Sequence, residues 1–114
     1  MYVVKKSDLY KTIPYSIRKA QSFGTRLKGL MFRKQPLHEE GLWIAPCNSI
    51  HMCFMHFPID AVFLDQHHRV VHLVENLKPW KFVFPIKQAH SVLELPPGTI
   101  SKFHIEVGQY VNWM

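Results

Sequence analysis

Glycine and cysteine are scarce in this chain: its 114 residues hold five Gly and two Cys. No glycine-rich nucleotide loop, no nucleophile elbow and no complete metal signature is present, which removes the function classes those motifs announce. Long apolar runs are missing too. No stretch approaches the ~18 uncharged apolar residues of a membrane span. The opening MYVVKKSDLYK passes from three apolar residues to lysines instead of an apolar leader core. The expectation is a soluble, cytoplasmic chain without membrane insertion, in which Cys47 and Cys53 stay reduced. Charge is sparse as well, at 19%, while 47% of residues are hydrophobic and 13% aromatic. That balance excludes a disordered chain and suits one domain, residues 1–114, burying a single core.

Acidic residues are nearly absent from the first third. Between Met1 and Lys34 there are nine Lys and Arg against Asp8 alone, a net of +8, whereas the remainder carries −2 and the whole +6. A nucleic acid, an anionic partner or an acidic membrane surface reads such a field; the plain alternative is a solvated basic face.

What is present is a series of short elements punctuated by Pro and Gly. Tyr2–Val4 and Leu9–Tyr15 read as strands, the second confined to an edge by Pro14. Phe23, Leu27, Leu30 and Met31 fall at helical spacing and predict a main helix over 22–34. Leu42–Ala45, Ile50–His56, Ala61–Asp65 and Arg69–Leu77 read as a strand meander, with a hairpin turn at Gln66-His67-His68. The stretch Trp80–Phe84 lies between Pro79 and Pro85 and reads as an ordered loop or brief edge strand. Ser91–Leu95 is a further strand, Thr99 is placed to cap a short second helix running to His104, and Gln109–Trp113 closes the chain as a strand. The fold class is α+β, strand-dominated.

Three motifs in order carry a resemblance: Arg26-Leu-Lys-Gly-Leu-Met-Phe-Arg33, then Met55-His-Phe-Pro-Ile-Asp60 leading into Ala61–Asp65, then Val92-Leu-Glu-Leu95 ahead of Gly98. Over residues 18–112 the chain resembles the Domain of Unknown Function 192 family. The resemblance implies a single compact α+β domain with a curved, barrel-like, mostly antiparallel sheet, and it implies no established activity; separately, no cofactor is expected. His56-Phe57 and Ile59 stand where many members carry Asn-Thr and Leu.

The densest local chemistry is Pro46–His56. If Ile50–His56 is one strand, period two puts His51, Cys53 and Met55 on one face, with Cys47 in the turn before it. Soft donors of that kind suit zinc or copper(I), although the C-x5-C spacing matches no standard zinc motif, and ordinary core packing is the competing reading. Asp60 follows Pro58, which fixes its own φ and biases Phe57 to extended backbone, so Asp60 enters its strand at a set place and is expected to be partly buried. Its partners are expected to be local backbone N–H groups or the fork of Arg26 or Arg33. This makes Asp60 either a staple between helix and sheet or the polar end of a ligand pocket. Asp60 and Glu94 together form a possible acid/base pair, if they meet.

The leading functional reading is a non-catalytic binding or interaction module. Its basic helix and its aromatic loop, Trp80, Phe82 and Phe84, would face a small ligand or a protein. The alternative is a metal-binding protein or enzyme at Cys47, His51 and Cys53. Weak, sequence-independent nucleic-acid binding is the third.

Overall fold

Two strands that are apolar on both faces organise the chain. The computed structural model describes residues 1–4, 10–20 and 37–113. Within them, Ile59–Leu64 forms strand β6 and Ser91–Leu95 forms β9, and every residue of both is buried. Such runs belong in the middle of a sheet covered on both sides. They pair antiparallel inside a five-stranded sheet ordered β3-β4-β9-β6-β7, where β3 is Ser16–Ala20, β4 is Glu40–Ile44 and β7 is Val70–Leu77.

Period two divides the core between the faces. Ile59, Ala61, Phe63 and Val92 pack on one side with Met52, Met55 and Phe57. Val62, Leu64, Leu93 and Leu95 pack on the other with Val3, Ile13, Ile100 and Val111. The second side is closed by a three-stranded sheet ordered β10-β1-β2, made of Tyr110–Asn112, Tyr2–Val4 and Tyr10–Thr12 respectively. The first side carries a two-stranded ribbon, β5 (Ile50–His51) with β8 (Phe82–Val83).

The hairpin expected at Gln66–His68 joins β6 to β7, and Asp65 makes it. One Asp65 carboxylate oxygen, Oδ1, accepts the backbone N–H of His67 at 2.8 Å and of Arg69 at 2.9 Å. This side-chain turn chemistry replaces the missing Asn-Gly.

Other expectations need correction. The middle of the chain is not a meander: β9 inserts between β4 and β6, and β3 pairs with β4 in parallel. The five-stranded sheet has β3 and β7 as its two edges and is not closed into a barrel. Strand β3, where no element is expected from the sequence, is an edge strand whose Ser16, Arg18 and Lys19 are exposed while Ala20 is buried. The second helix, α1, runs only from Thr99 to Lys102, with Gly98 at φ 91 as its N-cap. Thr99 does not cap it, because its hydroxyl donates to the Pro96 carbonyl at 2.7 Å. The main helix expected over 22–34, and with it Arg26 and Arg33, lies outside the described residues.

Candidate functional site

Asp60 sits in β6 and is wholly buried on the face covered by α1. Pro58 ahead of it and the strand pairing Asp60↔Leu95 fix its position. Its Oδ1 accepts the N–H of Asn76 at 2.9 Å, and its Oδ2 accepts the N–H of Ile100 at 2.8 Å. Asn76 has φ 51, in the left-handed region, close to the register shift between Ile59 and Ala61 in the β6–β7 ladder. Ile100 is the second residue of α1, whose N-cap glycine offers no side-chain oxygen and whose first turn holds no acid. Asp60 therefore does from across the sheet what an N-cap carboxylate does locally, satisfying an orphan N–H at the positive end of the helix. One carboxylate joins three segments.

Glu94 is the second buried carboxylate, and it faces the other way. In the ladder it lies opposite Ala61 on one side and Leu42 on the other, both in the core of the opposite face. Asp60 and Glu94 are thus separated by the sheet and cannot act as an acid/base pair. Glu94 Oε2 is buried and has no hydrogen-bond partner among the described residues. Burial, which penalises the charged form, pushes its carboxyl up to about 7.

The soft-donor row on Ile50–His56 does not form. The strand stops at His51, and a turn at Cys53–Phe54 follows, with Phe54 at φ 63. Met52 and Met55 are both buried, while His51 is exposed opposite Phe82. The Cys47 thiol donates to the Ser49 carbonyl at 3.0 Å. Among the described residues no three His, Cys, Asp or Glu side chains gather at a metal-holding distance. A cavity of about 340 Å³ lined by Pro46, Cys47, Asn48, Ala89 and His90 adjoins one of about 350 Å³ lined by Asp65, Gln66, Gln88, Ala89 and His90. Neither is lined by Asp60 or Glu94.

Around the ribbon β5/β8 lie four exposed aromatic side chains. Ile50 and Val83 pair and turn inward onto the core, which sends their neighbours outward. Beyond the two paired strands the Met52 N–H donates to the Lys81 carbonyl at 2.7 Å, and the Trp80 N–H donates to the Met52 carbonyl at 2.8 Å. These bonds bring Phe54 beside Trp80, ring centroids 5.1 Å apart and edge to face. Phe82 and Phe84 form a second edge-to-face pair at 4.9 Å. Exposure is 48% for Phe54, 62% for Trp80, 60% for Phe82 and 73% for Phe84. Phe54 and Trp80, at φ 63 and 68, both hold a left-handed backbone that bulky residues rarely adopt. No Asp or Glu occurs in residues 45–59 or 76–93, while Lys78, Lys81 and Lys87 are exposed.

Trp80, Phe82 and Phe84 are the surface expected from sequence, and Phe54, which was not expected, joins them. The interrupted pattern Met52-Cys-Phe-Met55 was its one signal. Of the basic segment, Arg18 and Lys19 are exposed on β3, with the Lys19 ammonium 5.0 Å from the Trp43 ring centroid.

Comparison with known proteins gives one family. The profile of the family described as "Uncharacterized ACR" (DUF192) matches residues 3–113. A UPF0127 protein of Pyrococcus furiosus is 37% identical over 108 residues, covering 90% of each chain. Another from Pyrococcus horikoshii is 38% identical over 102 residues, covering 85% of this chain and 86% of that one. A crystal structure of a protein of unknown function from Novosphingobium aromaticivorans superimposes with a TM-score of 0.79 at 25% identity, over 98% of this chain and 82% of that one.

Proposed function

Because the chain belongs to the Domain of Unknown Function 192 family, whose description assigns no activity, we propose a reading from the site alone: a non-catalytic, cytoplasmic, single-domain binding module that docks an anionic partner through the ribbon aromatics. The observation that carries it is the cluster Phe54, Trp80, Phe82 and Phe84, exposed on an anchored ribbon within acid-free sequence. Large exposed apolar patches mark interaction sites, and left-handed backbone at two bulky residues is strain of the kind that concentrates at functional positions. The lysines around the patch give the partner its sign.

In this reading Asp60 is a staple and not the floor of a ligand pocket. Both of its oxygens are engaged by backbone N–H groups and none of its surface reaches solvent. The test of the module is titration with 1-anilinonaphthalene-8-sulfonate, an anionic aromatic probe. The parent is expected to raise its emission, and Trp80→Ser/Phe84→Ser to lose most of that rise. An equal signal from both proteins would put the apolar binding surface elsewhere.

A further inference from the structure

We propose that the anionic partner of the ribbon is the interface of a phospholipid bilayer bearing acidic headgroups, on which the protein rests peripherally with Trp80, Phe82 and Phe84 immersed. The proposal deepens the module reading and rests on it.

Three features favour this occupant. First, the ribbon projects large apolar tips: Phe84 is 73% exposed and Trp80 62%. Aromatic side chains partition to the boundary between headgroups and acyl chains, with Trp keeping its N–H among polar groups. Second, the charge is complementary. Lys78, Lys81 and Lys87 flank the aromatics within the acid-free stretch 76–93, which exposed Glu75 precedes, and long cationic side chains reach headgroup phosphates while their stems follow the apolar surface. Third, several N–H groups of the ribbon backbone, that of Trp80 among them, are bonded internally. The N–H groups of Met52, Trp80, Lys81 and Ile86 donate to protein carbonyls at 2.7, 2.8, 3.3 and 2.8 Å. Unpaired N–H groups would oppose entry into a medium without water. No helix of the described residues is long and apolar enough to span a bilayer.

Two other occupants fit less well. A second copy of the chain would bring like charges together, since the same lysines would face one another and the whole chain carries +6. Single-stranded nucleic acid binds on open ring faces along which successive bases stack. Here the rings are paired with each other at interplanar angles of 61° and 89°, so each pair turns an edge into its partner's face.

The experiment is co-sedimentation with large unilamellar vesicles, either phosphatidylglycerol mixed with phosphatidylcholine or phosphatidylcholine alone, with tryptophan emission followed in parallel. The expected result is partition onto the acidic vesicles with a blue shift of emission. Trp80→Ser/Phe84→Ser should lower the partition at least tenfold. Lys78→Gln/Lys81→Gln should lower it several-fold on acidic vesicles and leave the neutral ones unchanged. Trp80→Phe, which keeps the apolar tip, should still bind but lose the blue shift, identifying the immersed residue.

Absence of partition while the sulfonate probe still reads the ribbon would overturn the bilayer proposal and leave the module reading standing. Failure of the probe as well would end both. Quenching of Trp80 by oligo(dT) without vesicle partition would replace the bilayer by nucleic acid. Vesicle binding indifferent to the aromatic substitutions and abolished by salt would also overturn the proposal, by assigning the attraction to the basic segment alone.

Discussion

Asp60 and Glu94 show how two acids one ladder step apart come to opposite ends. Asp60 accepts two backbone N–H groups and is buried with its hydrogen bonds made; Glu94 is buried without a partner for Oε2 among the described residues. Asp60→Ala leaves the N–H groups of Asn76 and Ile100 without their acceptor. Each hydrogen bond to a charged group contributes ~1.5–3 kcal/mol, so the variant is expected to lose about 3–5 kcal/mol in urea unfolding. Asp60→Asn, with one oxygen left, should fall between the two; a parental midpoint for Asp60→Ala would contradict the staple.

For Glu94 the sign follows from linkage. Its folded value of about 7 lies above the ordinary 4.5, so between those values the folded chain holds a proton that the unfolded chain has released. Stability therefore falls as pH rises through that window, by roughly 3 kcal/mol in total, and is then flat with respect to this group. Glu94→Gln should lack this decline and be the more stable protein at pH 8. Parallel stability-against-pH curves for the two proteins would contradict the assignment.

At the scale of elements, legibility followed locality. β1, β7, β9 and β10 were readable within a residue or two, because alternating or continuously apolar runs bounded by turn residues are local patterns. The β6–β7 hairpin was readable for the same reason. Ile50–His56 was misread because its turn puts Phe54, not glycine, at positive φ, and no composition signal marks that. The order β4-β9-β6 was not readable, since which strands become neighbours is decided by long-range packing. Asp60 drew notice through Pro58, but its donors from β7 and α1 could not be inferred from neighbours in the chain. Glu94 had one signal, a lone acid inside an apolar strand.

Gly41 tests the packing of β4 against its neighbours. A Cβ there would lie 2.7 Å from a Leu95 methyl, 2.8 Å from an Ile17 methyl and 3.2 Å from the Glu94 carbonyl. Two side chains and a backbone oxygen must give way together, so Gly41→Ala is expected to cost about 1–3 kcal/mol despite its better strand propensity. A gain in melting temperature would show that β3 or β9 yields more easily than this packing suggests.

On the scale of the whole molecule, labour is divided. A sheet whose central strands β6 and β9 are buried on both faces, with Asp60 stapling β6 to β7 and α1, holds the fold, while the β5/β8 ribbon rests its inward residues Ile50 and Val83 on the first core and leaves its aromatics exposed. If the aromatics serve docking, they contribute little to folding, because removing a side chain already in water forfeits little burial. Equilibrium urea unfolding of Trp80→Ser/Phe82→Ser/Phe84→Ser tests this most directly. The expected midpoint lies at or above that of the parent. A midpoint lowered to the level of Asp60→Ala would contradict it, since the ribbon aromatics would then be part of what holds the protein together.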